Sequence, residues 1–233
     1  MNIVDYAILL VMGISIIAGV YNGFVLSALN TASFFFSWLG ALIFYPLVSD
    51  ALVSKFPDLF LRLEFYADGA SKIPSVEDRT TELTRFTQEY ITELLQKINL
   101  PNPFSKILAA NAFSQEGAAE TLGQYFDFTI ASVIVNILSF LILFLVLKLV
   151  FTIAISLGKS LVSFPVLKQF DSLCGGCFGL VRGIFVLYFI FALMPIVMAL
   201  APVEIISKYM DESLLANIFY KSNIFTSFVN AKL

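Results

Sequence analysis

Four apolar runs long enough to cross a bilayer dominate the chain: Ile3 to Val20, Phe24 to Val48, Phe128 to Leu157 and Leu173 to Leu200. About 20 apolar residues in a helix span a hydrocarbon core ~30 Å thick. No water is present there to bond the backbone N–H and C=O groups, so each run must satisfy them internally as a helix. Composition agrees: 59% of the 233 residues are hydrophobic and only 13% are charged, against roughly a quarter charged in globular chains.

The connections between runs set the expected organisation. Tyr21-Asn22-Gly23 joins the first two runs and predicts a tight antiparallel hairpin. Gly158 to Ser172 joins the last two and predicts a second hairpin. The third run is long enough to tilt or to project beyond the lipid, and Pro195 lies near the far end of the fourth. No cationic region precedes the first run, which carries Asp5 instead. A cleavable signal peptide is therefore not expected, and the first run should remain as an anchor.

Residues 49–127 are polar, with 12 Asp or Glu and 7 Lys or Arg. Ser75-Val76-Glu77-Asp78 resembles a capping box, so a helix should follow. Leu83, Phe86, Tyr90, Leu94 and Ile98 recur at three- and four-residue steps, the pattern of one amphipathic helix. Phe104 to Phe113 and Glu116 to Phe126 read as two further short helices. After Pro202, Ile205, Ile206, Tyr209, Leu214, Leu215, Ile218 and Phe219 suggest amphipathic helices at the membrane interface. The expected fold is an all-α integral membrane protein with four transmembrane helices in two hairpins. The parts are 1–48, hairpin one; 49–127, a helical insertion outside the cytoplasm; 128–200, hairpin two; and 201–233, an amphipathic tail.

Orientation follows from the basic residues. Lys148, Lys159, Lys168 and Arg182 gather at the end where the second hairpin turns, with Asp171 as countercharge. The positive-inside rule places that end in the cytoplasm. The termini and the 49–127 loop then lie on the outer side.

Asp171 to Gly183 reads Asp-Ser-Leu-Cys-Gly-Gly-Cys-Phe-Gly-Leu-Val-Arg-Gly. Gly175, Gly179 and Gly183 recur every four residues and share one side of a helix. A side free of side chains lets another helix approach closely, which is how helices associate in lipid. Gly13 and Gly19 of the first helix offer a complementary small-residue line to meet it, and a second copy of the chain is the alternative partner; Gly23 is a further packing candidate. Arg182 lies inside this run; it reads as a snorkelling anchor or as a polar lining within an oligomer. Lys148 reads as an interfacial anchor and Asp5 as a helix cap. Asp171 is 11 positions before Arg182, about 16 Å along a helix and too far for a direct bridge. Asn30, Thr31 and Asn136 are candidates for bonds between helices.

Catalytic chemistry finds little support. The chain has no His, which removes the commonest general base and metal ligand. Cys174-Gly-Gly-Cys177 has redox-pair spacing, but such pairs usually follow a strand, and small-residue packing is the simpler reading. No phosphate-binding loop is present, and no cofactor or metal site is expected. The net charge of -3 and the lack of a basic tail speak against nucleic acid.

Three places resemble the colicin V production protein family (CvpA), small proteins of the bacterial inner membrane. They are Val4-Asp5-Tyr6 with the run to Gly19-Val20-Tyr21-Asn22-Gly23-Phe24; Asp171-Ser172-Leu173-Cys174-Gly175 with Gly179-Leu180-Val181-Arg182-Gly183; and Glu212-Ser213-Leu214-Leu215. Tyr21 and Asn22 stand where the family usually has basic residues, and the polar loop is longer than the family's. The resemblance implies a multi-pass, non-enzymatic inner-membrane protein linked to colicin V production or export and to envelope homeostasis. It would work through helix packing, with the bilayer and either a second copy or a membrane export partner. A small homo-oligomeric channel or transporter is the other reading.

Overall fold

The computed structural model describes residues 2–98, 100, 103–111, 119–159, 168–200 and 208–225. Among them no strand is present, only one isolated bridge between Glu82 and Thr121. The helices are α1 (Ile3–Lys55), α2 (Pro57–Ala67), α3 (Val76–Thr80), α4 (Gln88–Ile98), α5 (Phe104–Asn111), α6 (Leu122–Lys159), α7 (Lys168–Ala192), α8 (Met194–Leu200) and α9 (Leu214–Lys221). Three stretches are long and apolar enough to cross a membrane: Ile3–Lys55, Leu122–Leu157 and Asp171–Leu200.

Helix α1 is two legs. Gly23 breaks it with φ 73° and ψ 176°, a conformation open to glycine because it has no Cβ. At the far end of the chain, α7 stops at Ala192. Helix α8 follows with Pro195 in its first turn, where a missing N–H costs nothing. The run Leu173 to Leu200 is thus two helices.

Contacts divide the chain into two compact units: residues 1–44, 140–192 and 204–225, and residues 45–139, 193–203 and 226–233. The divisions at 44/45 and 139/140 fall inside α1 and α6. In the first unit the usual soluble arrangement is inverted. Ser15, Ser27, Thr31, Ser33 and Ser37 are buried, while Leu10, Ile14, Ile17, Leu145, Leu149 and Ile153 are exposed. Apolar faces turned outward are stable against lipid, and the buried hydroxyls bond within the protein.

The second unit has an ordinary apolar core. Phe60 of α2 packs on Ala131 and Val135 of α6, and α8 also meets α2. Ile73, Ile91, Phe104, Leu108, Leu122 and Tyr125 are almost wholly buried. Tyr125 Oη donates to the Leu108 carbonyl at 2.7 Å, joining α6 to α5. Ser49 of α1 donates to Asn136 of α6 through their side chains.

Three local expectations need correction. Helix α3 has its Ser75 cap, with Ser75 Oγ accepting from the Asp78 N–H at 3.3 Å, but ends at Thr80. Thr81 turns extended because its carbonyl accepts from the Leu122 N–H, while Leu83 N–H donates to the Glu120 carbonyl. Leu83 and Phe86 are thereby taken out of the amphipathic helix. Helix α4 starts only at Gln88, and it buries Ile91, Leu94 and Leu95.

Glu116 to Phe126 does not form a separate helix in its described part. Thr121 Oγ1 accepts from the Gln124 N–H, and Gln124 Oε1 accepts from the Thr121 N–H. This reciprocal box starts α6, which runs without a break through 38 residues. Residues 112–118 lie outside the described residues, as do Ile205 and Ile206 of the tail. The tail helix α9 docks on α7 rather than resting on lipid alone.

Tyr125→Phe should leave the Leu108 carbonyl short of a donor and cost about 1–2 kcal/mol. Thermal unfolding in detergent measures this; an unchanged transition would show that the hydroxyl contributes nothing.

Candidate functional site

Gly175 and Gly179 of α7 meet backbone of the first leg of α1 and of Gly23. A Cβ placed on Gly19 would strike the Gly175 carbonyl and come within 2.8 Å of Gly179 Cα. One on Gly175 would lie 2.9 Å from the Gly23 carbonyl carbon, and one on Gly179 would lie 3.0 Å from Gly19 Cα. Gly183 differs, since its nearest neighbours are the side chains of Met12 at 3.0 Å and Ser15 at 3.1 Å. Gly13 has nothing within 4 Å, so it is not part of this line. Its place is taken by Ser15, whose carbonyl faces Gly179.

The second leg crosses the same part of α7. Thr31 Oγ1 donates to the Phe178 carbonyl at 3.0 Å, and Phe34 lies 6.3 Å from Phe185 between ring centroids. Ser15 and Thr31 are eight residues to either side of Gly23, and both reach one turn of α7. The chain therefore reverses at Gly23. Ser27 Oγ, donating to the Gly19 carbonyl at 3.0 Å, ties the legs together.

Two carboxylates close the ends of this assembly. Asp171 Oδ1 accepts the Phe24 N–H at 2.7 Å. Phe24 opens the second leg, where a helix has unpaired N–H groups and favours a negative charge. The same carboxylate fills the space beside Gly23, with Asp171 Cγ 2.9 Å from where a Cβ would stand. Asp5 serves two helices. Its Oδ2 accepts the Asn2 N–H at 2.8 Å, while Asn2 Oδ1 accepts the Val4 N–H at 2.8 Å, a reciprocal cap on α1. Its Oδ1 accepts the Ser213 hydroxyl at 2.6 Å and the Leu215 N–H at 3.0 Å, at the start of α9. Ser213 Oγ in turn accepts the Ala216 N–H at 3.0 Å, and Asn2 Nδ2 donates to the Tyr209 carbonyl at 2.7 Å.

The far end of α9 is held as well. Asn223 Nδ2 donates to the Tyr188 carbonyl at 2.9 Å. Phe225 is fully buried and stacks on Trp38 with ring centroids 6.4 Å apart; Phe140 and Phe144 lie within 5.5 Å of it.

Two half-buried cations occupy the first unit. Arg182 donates from Nε to Ser15 Oγ at 3.3 Å and from Nη2 to the Ser15 carbonyl at 3.2 Å. Lys148 donates to Ser33 Oγ at 2.6 Å and Thr152 Oγ1 at 3.3 Å, and its ammonium sits 4.4 Å from the centre of the Phe34 ring. Asp171 and Arg182 do not meet. Cys174 and Cys177 are free thiols, the second of them exposed. In the second unit, a cavity of about 990 Å³ is lined by Glu64, Asp68, Glu120 and Asp127 among others. Burial, and then the charge of Asp127, push the Glu64 carboxyl above its ordinary pKa. Among the described residues no cluster of His, Cys, Asp or Glu has the arrangement of a metal site.

The family model described as colicin V production protein matches residues 4–72 and 104–223. The chain belongs to the colicin V production protein family. No curated protein and no solved structure matches it. Asp5, Gly19, Gly23, Asp171, Gly175, Gly179, Arg182 and Ser213 all fall in the matched segments, and so does Lys148. Residues 73–103, which hold α3 and α4, fall between them.

Sequence reasoning found the motifs of this family but not their partners. It missed Ser15, Ser33 and Asn2, which are single polar residues within or beside an apolar run. It also missed that the Asp5 motif and the Glu212-Ser213-Leu214-Leu215 motif are two halves of one contact. Their separation of 208 residues leaves no local signal.

Gly179→Leu should destabilise the first unit by about 3 kcal/mol or more, because backbone fills the space its side chain needs. Gly183→Ala should be milder and Gly13→Leu neutral. Folded yield and unfolding in detergent measure the order; equal effects at 13 and 179 would refute the seam. Asp5→Ala should free α9, raising amide exchange across Leu214–Lys221, and Ser213→Ala added to it should change little further. Additive effects would show that the two residues act separately.

Proposed function

We propose that this chain is a multi-pass protein of the bacterial inner membrane that supports production or export of the peptide toxin colicin V and envelope homeostasis. It does so without catalysis, through helix packing and a membrane partner. The observation that carries the reading is the family match across both ends of the chain. What supports the non-catalytic part is the use made of the matched polar residues. Ser213 donates to Asp5, but both are also engaged with the start of α9, Asp5 Oδ1 accepting the Leu215 N–H and Ser213 Oγ the Ala216 N–H, while Asp171 accepts the Phe24 N–H.

Four crossings are the topology that fits this reading. The reversal at Gly23 makes each leg of α1 a crossing, and α6 and α7 supply two more. The cations near the α6–α7 connection favour a cytoplasmic position for the Gly23 and Asp171 end. The termini and the polar insertion are then periplasmic. A small homo-oligomeric channel or transporter is the second reading, favoured by Lys148 and Arg182 within apolar helices, where charges commonly line polar paths.

The test is complementation in a strain that makes colicin V but lacks its own family member. The wild-type chain should restore toxin in the medium, Gly13→Leu should match it, and Gly179→Leu should lower it about tenfold or more. The tenfold effect corresponds to roughly 1.4 kcal/mol, less than the packing loss. Full toxin release without any copy of the chain would contradict the reading. Ion conductance in planar bilayers that changes selectivity with Arg182→Ala would favour the second.

A further inference from the structure

The cavity of the second unit joins two kinds of surface. Glu64 and Asp68, at the end of α2, line it together with Glu120 and Asp127, beside the first turns of α6. Its volume of about 990 Å³ is that of a ligand site. No Lys or Arg is among the described residues that line it. Among the described residues the ion pairs are Arg85 with Glu82 and Lys97 with Glu93, so none of the four carboxylates is neutralised by a cation of its own chain. Like charges held together disfavour the ionised state, and a cation from outside relieves them.

The walls of the hollow are fixed, so these charges cannot drift apart. The turn after α2 is pressed on α6: a Cβ on Gly69 would lie 2.8 Å from the Phe126 carbonyl carbon. Asp127 Oδ1 accepts the Ala70 N–H at 2.8 Å, which ties the same turn to α6. Phe60 of α2 packs on Ala131 and Val135. Its ring lies 5.5 Å from that of Phe128, which is itself part of the cavity wall. The hollow is thus formed in advance of any ligand, which lowers the cost of binding.

The second surface is aromatic. Phe65 and Tyr66 also line the cavity, yet they are 79% and 69% exposed. Their rings meet edge to face with centroids 5.7 Å apart. Carboxylates beside exposed rings suit a Lys or Arg side chain, whose charge meets the acids while its stem or cationic head lies on a ring face. A bare metal ion would leave the rings unused, and among the described residues no acidic group has the arrangement of a metal site.

We propose that this hollow docks a basic peptide segment of a partner protein, with a Lys or Arg side chain among the four carboxylates and an apolar neighbour on Phe65 and Tyr66. The site does not rest on the toxin-production reading. Charge complementarity selects the occupant, and the aromatic rim separates a peptide from a small organic cation.

The full-length protein in phosphatidylcholine nanodiscs, titrated into a short fluorescent peptide of alternating Leu and Arg, tests the site by anisotropy, with empty nanodiscs as the blank. Saturable binding above the blank is expected, and a peptide of alternating Leu and Glu should not bind. Glu64→Gln and Glu120→Gln should each weaken binding about fivefold or more, and Phe65→Ser about threefold or more. Glu93→Gln, in the exposed pair on α4, should change nothing. Arginine amide should displace the peptide but bind at least about tenfold more weakly, because it does not reach the rim. If a variant does not fold, the wild type decides: capture of the Arg peptide, its displacement by arginine amide and rejection of the Glu peptide support the site. No binding above the blank, equal binding of both peptides, or affinity indifferent to all three substitutions in folded protein overturns it. Arginine amide binding as tightly as the peptide would overturn the peptide as occupant.

Discussion

The assembly depends on how closely α7 approaches the first leg of α1. Gly19, Gly175 and Gly179 bring backbone against backbone, with no room for a methyl group between them. In lipid there is no hydrophobic gain from bringing two apolar helices together, so close van der Waals contact and hydrogen bonds must hold them. A bare seam supplies the first. It also sets the second, because it brings the Ser15 carbonyl within reach of Arg182 and the Phe178 carbonyl within reach of Thr31.

Asp171 and Asp5 work on the same principle at opposite ends of the first leg. Each carboxylate meets N–H groups at the start of a helix other than its own, Phe24 for Asp171 and Leu215 for Asp5. Helix ends carry unpaired donors that water would otherwise satisfy. Bonding them across helices fixes register, because a shift by one residue would break the bond. The glycine seam therefore sets the distance between helices, and the two acids set their position along the axis. The conformation of Gly23 belongs to this set. It turns the chain and leaves the space that the Asp171 carboxylate fills.

What the sequence displays and what it hides divide along chain separation. Apolar runs and the four-residue glycine spacing are local patterns, and the runs foretold the long helices. The spacing could not tell Gly13 from Ser15 as a partner, because both positions of the first leg are small and only the docked register decides. Asp171 read as a countercharge to nearby cations because its backbone partner, Phe24, is 147 residues away. Leu83 and Phe86 fitted a helical period, but a bond from Leu122 to Thr81 draws the preceding chain into an extended form. The start of α6 was legible in Thr121 and Gln124, a capping pair hidden within a stretch read as a separate short helix. Phe225 carried no signal at all, since a single Phe in a tail acquires meaning only from the rings around it.

The most direct measurement is a cross-link across the seam. A Cβ on Gly176 would lie 3.1 Å from Val20 Cγ2, which puts the two positions in range for a disulfide. In a chain with Cys174→Ser and Cys177→Ser, Val20→Cys with Gly176→Cys should close within one molecule on mild oxidation in native membranes. Gly13→Cys with Gly176→Cys should stay open. Failure of the first pair to close, or its closure only between two copies, would mean that α7 does not dock on the first leg of its own chain.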